Sequence, residues 1–170
     1  SRCYVRADMD GIDKSALMQA LLTKLEAELA QLVAAAEATR IGTTHEEAKP
    51  ENDKDTRAIE ASYLARGQAM RVEDTEEALT RLRFLAPRNF RDEDPVDVGA
   101  LVEVDVDGDV QHFFLVPVAG GLSVTVAGHE VRLLTPASPV GQRLVGKFVG
   151  EDFEVQARGR TRAYEILAVR

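Results

Sequence analysis

The sequence has no tryptophan, a single cysteine and few aromatic residues for its length of 170. The lone Cys3 cannot form an intramolecular disulfide, and no Cys and His cluster has the spacing of a structural zinc site. No apolar run approaches the roughly 20 residues that a membrane helix needs, and residues 1–8 lack the apolar core of a signal peptide. These absences predict a cytoplasmic protein with no membrane span.

The chain also lacks the positive charge of a typical nucleic-acid-binding protein. It has 21 Lys and Arg residues against 29 Asp and Glu residues, for a formal net charge of -8. Because binding to the phosphate backbone depends on basic surfaces, this balance argues against independent binding to duplex DNA. A protein partner with a basic surface fits the charge better.

Catalytic sequence motifs are absent as well. The chain contains no P-loop, no dinucleotide-binding glycine fingerprint, no G-x-S-x-G and no H-E-x-x-H. Its histidines, His45, His112 and His129, fall in different predicted elements, which favours structural or surface roles. We therefore predict that the protein is not an enzyme by itself.

Composition divides the chain into a helical half and a β-rich half. Residues 13–86 are rich in Ala, Leu and Glu, whereas residues 98–170 are rich in Val, Gly and short alternating runs. Residues 87–97 are polar and contain a proline near each end, so we interpret them as a linker. Residues 1–12 then form an N-terminal extension.

The helical half predicts an antiparallel coiled-coil hairpin. The first helix, capped by Asp13 or Ser15, has a seam at alternating steps of four and three residues. About 28 residues at 1.5 Å each would give a rod of roughly 40 Å. A second helix with a weaker seam is predicted from Asp53 to Phe84, and Gly42 and Pro50 mark the expected helix ends. The seam of the first helix comprises Met18, Leu22, Leu25, Leu29, Leu32, Ala36 and Thr39.

The second half predicts three β-hairpins and one short helix. The hairpin turns are expected at Asp107-Gly108, at Ala127-Gly128 and around Gly159, each between runs rich in β-branched and aromatic residues. Ser138-Pro139 opens the short helix, whose apolar face is Val140, Leu144 and Val145, and Gly146 ends it. This order of elements is typical of an α+β domain with an antiparallel sheet.

The predicted hairpin turn, residues 42–55, is strongly acidic. One interpretation is a solvated connection in which Asp53 or Asp55 caps the second helix. The other is that the rod delivers carboxylates to another protein, where oxygen ligands would complete the coordination of a weakly bound Mg²⁺. The acidic residues of this tip are Glu46, Glu47, Glu51, Asp53 and Asp55.

A more specific pattern lies in residues 135–152, which read TPASPVGQRLVGKFVGED. The pattern S-P-h-G-x-x-L-h-G-K-x-x-G-[DE], where h is apolar, resembles the C-terminal domain of the bacterial Gre (GreA/GreB) transcript-cleavage and elongation factors. Together with the hairpin and its acidic tip, the resemblance covers about residues 13–169 and fits a divergent branch. It implies a coiled-coil hairpin followed by an FKBP-like antiparallel β domain with one short helix.

The resemblance also implies a function as a regulator of bacterial RNA polymerase. In that family the C-terminal domain docks at the secondary channel, and the coiled coil enters it to promote cleavage of backtracked RNA. Here the tip carboxylates Glu51, Asp53 and Asp55 would assist the polymerase, with Glu51 and Asp55 as joint Mg²⁺ ligands and Asp53 as the substitute. Contact with nascent RNA would be indirect and would occur within the complex.

Docking is expected through the short helix and its flanks, with Ser138, Gln142, Arg143 and Lys147 as partner-binding residues. The glycines Gly141, Gly146 and Gly150 are expected to set the turns of this segment.

Two alternatives stay open. The tip reads Glu51-Asn52-Asp53-Lys54-Asp55, which departs from the family's Asp-Leu-x-Glu-Asn, so the protein could be a non-cleaving modulator in the same channel. The other alternative is an FKBP-like peptide-binding or prolyl-isomerase module with a coiled-coil spacer. The lack of Trp argues against the aromatic pocket that such an activity requires.

Overall fold

The computed structural model describes residues 11–46, 54–86, 88–157 and 159–170, except for the side chains of residues 43–46 and 54–55. None of the helices within these ranges combines the length and the apolar content needed to cross a membrane. The elements in chain order are α1 (Lys14–Glu46), α2 (Lys54–Arg83), β1 (Leu101–Val106), β2 (Asp109–Leu115), β3 (Ser123–Val126), β4 (His129–Leu134), α3 (Pro139–Leu144), β5 (Asp152–Ala157) and β6 (Arg160–Val169).

Helix α1 begins where the sequence predicts and runs further than predicted. The Asp13 carboxylate accepts a hydrogen bond from the Ala16 amide at 3.0 Å, which caps the first turn. The helix then continues for 33 residues, through Gly42 to Glu46. The expectation that Gly42 ends the helix is therefore wrong. Gly42 is not among the glycines with positive φ, and a glycine in helical conformation weakens a helix without terminating it.

Helices α1 and α2 pack as the predicted hairpin, but their burial follows the predicted seams only in part, because the fully buried Leu17 and Leu21 of α1 lie outside the predicted seam. All seven seam positions of α1 are buried or half-buried, with Leu25 only 3% exposed. On α2, Leu79 and Leu82 are buried as predicted, whereas Ala58 and Ala65 are exposed, so these two predicted seam positions are wrong. The seam predicted for α2 comprises Ala58, Ala61, Ala65, Gln68, Val72, Thr75, Leu79 and Leu82. The buried leucines Leu25, Leu79 and Leu82 stabilise the packing of α1 against α2 far more than the alanines do, because the stabilisation scales with the apolar area removed from water.

The second half forms a six-stranded sheet in the order β3-β4-β2-β1-β6-β5. The expectation of an entirely antiparallel sheet is corrected at one pairing, because β2 and β4 run parallel. The β3–β4 hairpin inserts with β4 on the inside, and β3 is left at the edge of the sheet. The residues of the two strands explain why β4 is internal and β3 is at the edge. Val131, Leu133 and Leu134 of β4 are buried, whereas β3 is short and partly polar.

Two tight turns confirm the hairpin predictions. Asp107 and Gly108 both have positive φ, and so do Ala127 and Gly128, as a two-residue turn of mirror-image type requires. The first turn is reinforced by the carboxylate of Asp105, which accepts a hydrogen bond from the Gly108 amide at 2.7 Å.

One cluster of buried side chains forms a core in the β-rich half. It is built from β1, β2, β5 and β6 with Leu134 of β4, and Leu144 brings α3 against it, with Val140 packed at its side. Phe90 and Val96, from the segment predicted as a linker, are also buried in this core. That segment is therefore part of a packed structure and helps to position α3.

By packing, the chain divides into two compact units. One unit is Thr23–Thr80, the greater part of the helical hairpin. The other joins the first turns of α1, as far as Leu22, to Arg81–Arg170.

Candidate functional site

The segment that carries the sequence pattern is ordered around α3. The Ser138 hydroxyl accepts a hydrogen bond from the Gly141 amide at 3.1 Å and donates one to the Thr135 carbonyl at 2.7 Å. Pro139 follows at the first helical position, where its missing N–H costs nothing. Ser138, predicted to bind a partner, therefore lies at the helix N-cap and holds the start of α3 in place.

The glycines of the pattern have structural roles. Gly141 is buried against Thr135, where a side chain has no room. Gly146, with φ of 82°, follows the helix in a left-handed conformation, and its amide donates to the Val96 carbonyl at 2.8 Å. The Val96 amide in turn donates to the Lys147 carbonyl at 2.8 Å. These two bonds tie the end of α3 to the segment that precedes β1.

The exposed side of this segment presents both polar and apolar groups. Gln142 and Arg143 are exposed on α3. Val145 and Phe148, which follow the helix, are 37% and 43% exposed although both are apolar. We call the patch formed by Gln142, Arg143, Val145 and Phe148 the α3 surface.

Lys147 differs from the other predicted partner-binding residues. Its ammonium lies 3.4 Å from the Glu151 carboxylate, and its side chain is only 27% exposed. The Glu151 carboxylate also accepts a hydrogen bond from the Phe148 amide at 2.7 Å. That bond, with a smaller contribution from Lys147, holds the pKa of Glu151 below its usual value. Lys147 and Glu151 therefore brace the loop that presents Phe148.

Sequence reasoning did not identify Val145 and Phe148 as candidate contact residues. It placed Val145 on the buried face of α3 with Val140 and Leu144. Val145 is instead the C-cap residue, with extended backbone at φ -60° and ψ 133°, so it leaves the helical periodicity. For Phe148, an apolar residue after the predicted end of the helix was the available signal.

The side chains of the predicted tip carboxylates lie outside the part of the chain that the structure describes. Glu51 and Asp53 fall between α1 and α2, and Asp55 lies in the first turn of α2 with its side chain not described. Within the described ranges, no group of three or more His, Cys, Asp or Glu side chains is arranged to hold a metal ion.

A stripe of exposed apolar side chains lies on α2. Ile59, Tyr63 and Met70 are 53%, 71% and 54% exposed, and steps of four and seven residues bring them to one side of the helix. The half-buried positions Gln68 and Val72 lie on another side. Leu64 is also 56% exposed, but it lies on a different side of α2 from Ile59, Tyr63 and Met70. We call these three residues the α2 stripe.

His112 and His129 form a separate cluster on the sheet. His112 Nε2 lies 3.4 Å from a carboxylate oxygen of Glu103, which is 2% exposed, and the two imidazole rings meet edge to face at 5.2 Å. Burial and, secondarily, the neighbouring His129 lower the pKa of His112. His112 is half-buried on β2 and paired with Glu103 of β1, which fits the structural role that the sequence predicts.

The β-rich half of the chain matches a model of a known protein family. The family model described as "Transcription elongation factor, GreA/GreB, C-term" matches residues 91–170, which include the whole sheet and the α3 surface.

Individual relatives extend the match into the helical half. The GreA of Mesorhizobium japonicum is 32% identical over 119 residues, covering 70% of this chain and 71% of that protein. The GreA of Rhodospirillum rubrum is 31% identical over 105 residues, covering 59% of this chain. The matched region spans only 60% of the length of the Rhodospirillum protein.

Among solved structures, the chain is similar to GreA factor homolog 1 (Gfh1) of Thermus thermophilus, with 18% identity and a TM-score of 0.37. That alignment covers 88% of this chain and 94% of the other. Gfh1 of Thermus aquaticus gives 15% identity and a TM-score of 0.36, over 86% of this chain and 92% of the other.

Proposed function

Since the chain belongs to the GreA/GreB family of transcription elongation factors, we propose that it regulates bacterial RNA polymerase from the secondary channel. The C-terminal domain docks at the channel, and the helical hairpin enters it. The protein is not an enzyme by itself in this proposal, since it acts on the polymerase's own RNA-cleaving site. The observation that carries the proposal is the α3 surface, which lies inside the segment matched to the family.

The composition of the α3 surface supports docking to a protein. Two apolar side chains, Val145 and Phe148, would be removed from water on binding, and the neighbouring Arg143 can form charge-assisted hydrogen bonds at the rim. The backbone beneath these residues is held rigidly by the bonds between Val96 and the end of α3. A pre-ordered patch loses little conformational entropy on binding, which favours affinity.

The hairpin supports the second half of the proposal. At 1.5 Å per residue, helices of 33 and 30 residues are about 45–50 Å long, while two helices side by side are only about 20 Å across. An element of this length and width can enter a narrow channel. The α2 stripe gives the hairpin apolar groups that would pack against a channel wall.

The tip carboxylates are the proposed acting groups. Glu51 and Asp55, with Asp53 as the substitute, would supply oxygen ligands to a Mg²⁺ held jointly with the polymerase. Such an ion would stabilise developing negative charge during cleavage of the RNA phosphodiester. The chain's own task would then be to bring carboxylates to the site at the end of the hairpin.

A second candidate is a non-cleaving modulator that occupies the same channel. The departure of residues 51–55 from the family's tip pattern favours it. In this version the hairpin acts by excluding other ligands from the channel, and the negative charges of the tip attract it to basic surfaces there.

Two measurements separate these proposals. The tagged full chain is first incubated with purified RNA polymerase core enzyme, and co-purification is measured. Failure to bind at micromolar concentration would reject both versions. A backtracked elongation complex with 5′-labelled RNA is then incubated with the protein and Mg²⁺. Shortened RNA supports cleavage stimulation, whereas intact RNA with altered elongation rate supports the modulator.

A further inference from the structure

Arg66 joins the α2 stripe to form a continuous seam along the outer side of α2. Ile59, Tyr63, Arg66 and Met70 follow one another at steps of four, three and four residues, and all four are exposed. This alternation is the heptad spacing of a helix that packs lengthwise against a second helix. We call these four residues the outer seam.

The outer seam is turned away from the side of α2 that packs against α1. Met70 lies two residues from each of the half-buried Gln68 and Val72, and at about 100° per residue it is turned roughly 160° from both. An added β-carbon at Gly67, which follows Arg66, would meet nothing within 4 Å. The described part of the chain therefore leaves room for a second helix along this side.

The outer seam is complementary to itself when two copies of α2 run antiparallel. Ile59 and Met70 are equally distant from the midpoint between residues 64 and 65, and so are Tyr63 and Arg66. With a two-fold axis at that midpoint, Ile59 of each copy lies against Met70 of the other, which buries two apolar side chains. The Arg66 guanidinium of each copy lies against the Tyr63 ring of the other, which is a cation–π contact.

Charge also favours the antiparallel arrangement. Glu60 is exposed and lies one turn before Tyr63, so the guanidinium of Arg66 from the other copy can reach both the ring and this carboxylate. A parallel pair in the same register would instead bring the two Arg66 side chains together, and like charges repel. Ser62 and Ala69, which flank the seam, are small enough for the two helices to approach closely.

From this spacing and symmetry, we infer that the outer seam is a self-association surface, where two copies of the chain pair through antiparallel α2 helices. The seam covers only about 18 Å of helix. The buried area is therefore below that of a standard stable interface, and the Kd of the dimer is about 10–100 μM. Self-association covers the side chains that would pack against a channel wall and so keeps the hairpin out of the channel, a consequence that rests on the proposed function.

Sedimentation velocity of the full chain from about 1 to 500 μM tests the association, because the dimer fraction rises with concentration by mass action. Tyr63→Ser removes a seam residue and should raise the dimer Kd at least tenfold. Leu64→Ser is the matched control, since Leu64 is also exposed and apolar but lies outside the seam, and it should leave the Kd unchanged. A chain that stays monomeric at every concentration, or an equal loss in both variants, would overturn the inference.

Disulfide trapping tests the antiparallel register. In a Cys3→Ser background, Ile59→Cys and Met70→Cys chains are prepared separately, mixed in equal amounts and oxidised, and the products are separated by mass. We expect the mixed disulfide to exceed the two symmetric disulfides together at least fivefold, because the antiparallel pair brings position 59 of one copy to position 70 of the other. A statistical mixture, or an excess of symmetric disulfides, would contradict this register. Polymerase takes no part in either measurement, so their outcome is independent of the proposed function.

Discussion

Gly141 lies so close to Thr135 that a β-carbon at position 141 would overlap the Thr135 carbonyl and lie 2.8 Å from the Ser138 hydroxyl oxygen. The obstruction is backbone, which cannot turn aside as a flexible side chain can. Gly141→Ala should therefore destabilise the C-terminal domain by about 1–3 kcal/mol, as overpacking of a close-packed site does. Denaturant unfolding would measure the loss, and wild-type stability in this variant would show that the start of α3 can shift freely.

Gly67 provides the matched control for that substitution. It lies within α2, its φ is not positive, and an added β-carbon would meet nothing within 4 Å. Gly67→Ala should raise the stability of the hairpin by about 0.5–1 kcal/mol, because alanine loses less backbone entropy on forming a helix. Thermal unfolding followed by helical circular dichroism would test this. A fall in the melting temperature would mean that position 67 has a neighbour in solution.

The α3 surface should be required for polymerase binding and dispensable for folding. Phe148→Ser removes an exposed apolar group, and we expect the Kd for core polymerase to rise at least tenfold, equivalent to about 1.4 kcal/mol. Val110→Ser, at a residue of similar exposure on β2, should leave the Kd unchanged.

Charge reversal tests the polar part of the same surface. Replacing Arg143 and Lys147 together with Glu should also weaken binding, mostly through a slower association rate. Since Lys147 pairs with Glu151, the single Arg143→Glu variant separates loss of a docking charge from disturbance of the loop. Normal binding by both charge variants and by Phe148→Ser would refute the docking assignment.

The tip carboxylates should be required for the effect on transcription but not for polymerase binding or folding. Replacing Glu51, Asp53 and Asp55 together with Ala should abolish the effect on transcription while polymerase binding persists. Stability should change by less than about 0.5 kcal/mol, or by about 1 kcal/mol more if a helix cap is lost. A triple variant with full effect on a backtracked complex would indicate that the hairpin acts by occupying the channel, or that Glu46 and Glu47 are the acting pair.

His112 should make the domain sensitive to mild acid. Burial lowers its pKa in the folded state, so the unfolded chain binds the proton more readily. The corresponding stability is complete above pH 6.5 and declines as the pH falls from 6.5 toward the lower folded-state value. His112→Gln should flatten this decline between pH 7.5 and 5.5 in denaturant titrations. A wild-type chain that gains stability on acidification would show instead that the nearby Glu103 carboxylate dominates.

Features encoded within a few neighbouring residues could be predicted from the sequence. The Asp-Gly and Ala-Gly turns and the Ser-Pro start of α3 follow from local backbone conformation. The seam of α1 from Leu25 onward follows from a short apolar period. The family resemblance rests on the same kind of local pattern. The family resemblance located the α3 segment correctly. Its assignment of the acidic tip stays a prediction, because those side chains lie outside the described residues.

Tertiary structure decided the features that depend on residues far apart in the chain. The parallel pairing of β2 with β4 places β3 at the edge, and no local hairpin signal distinguishes that order from its alternative. Phe148 is exposed because hydrogen bonds to Val96 and Glu151 hold its loop. Lys14 donates hydrogen bonds to the backbone carbonyls of Arg88 and Gly99, which lie 74 and 85 positions away in the chain. A turn needs only the φ and ψ angles of its own residues, whereas burial and long-range hydrogen bonds depend on which surfaces the whole fold brings together.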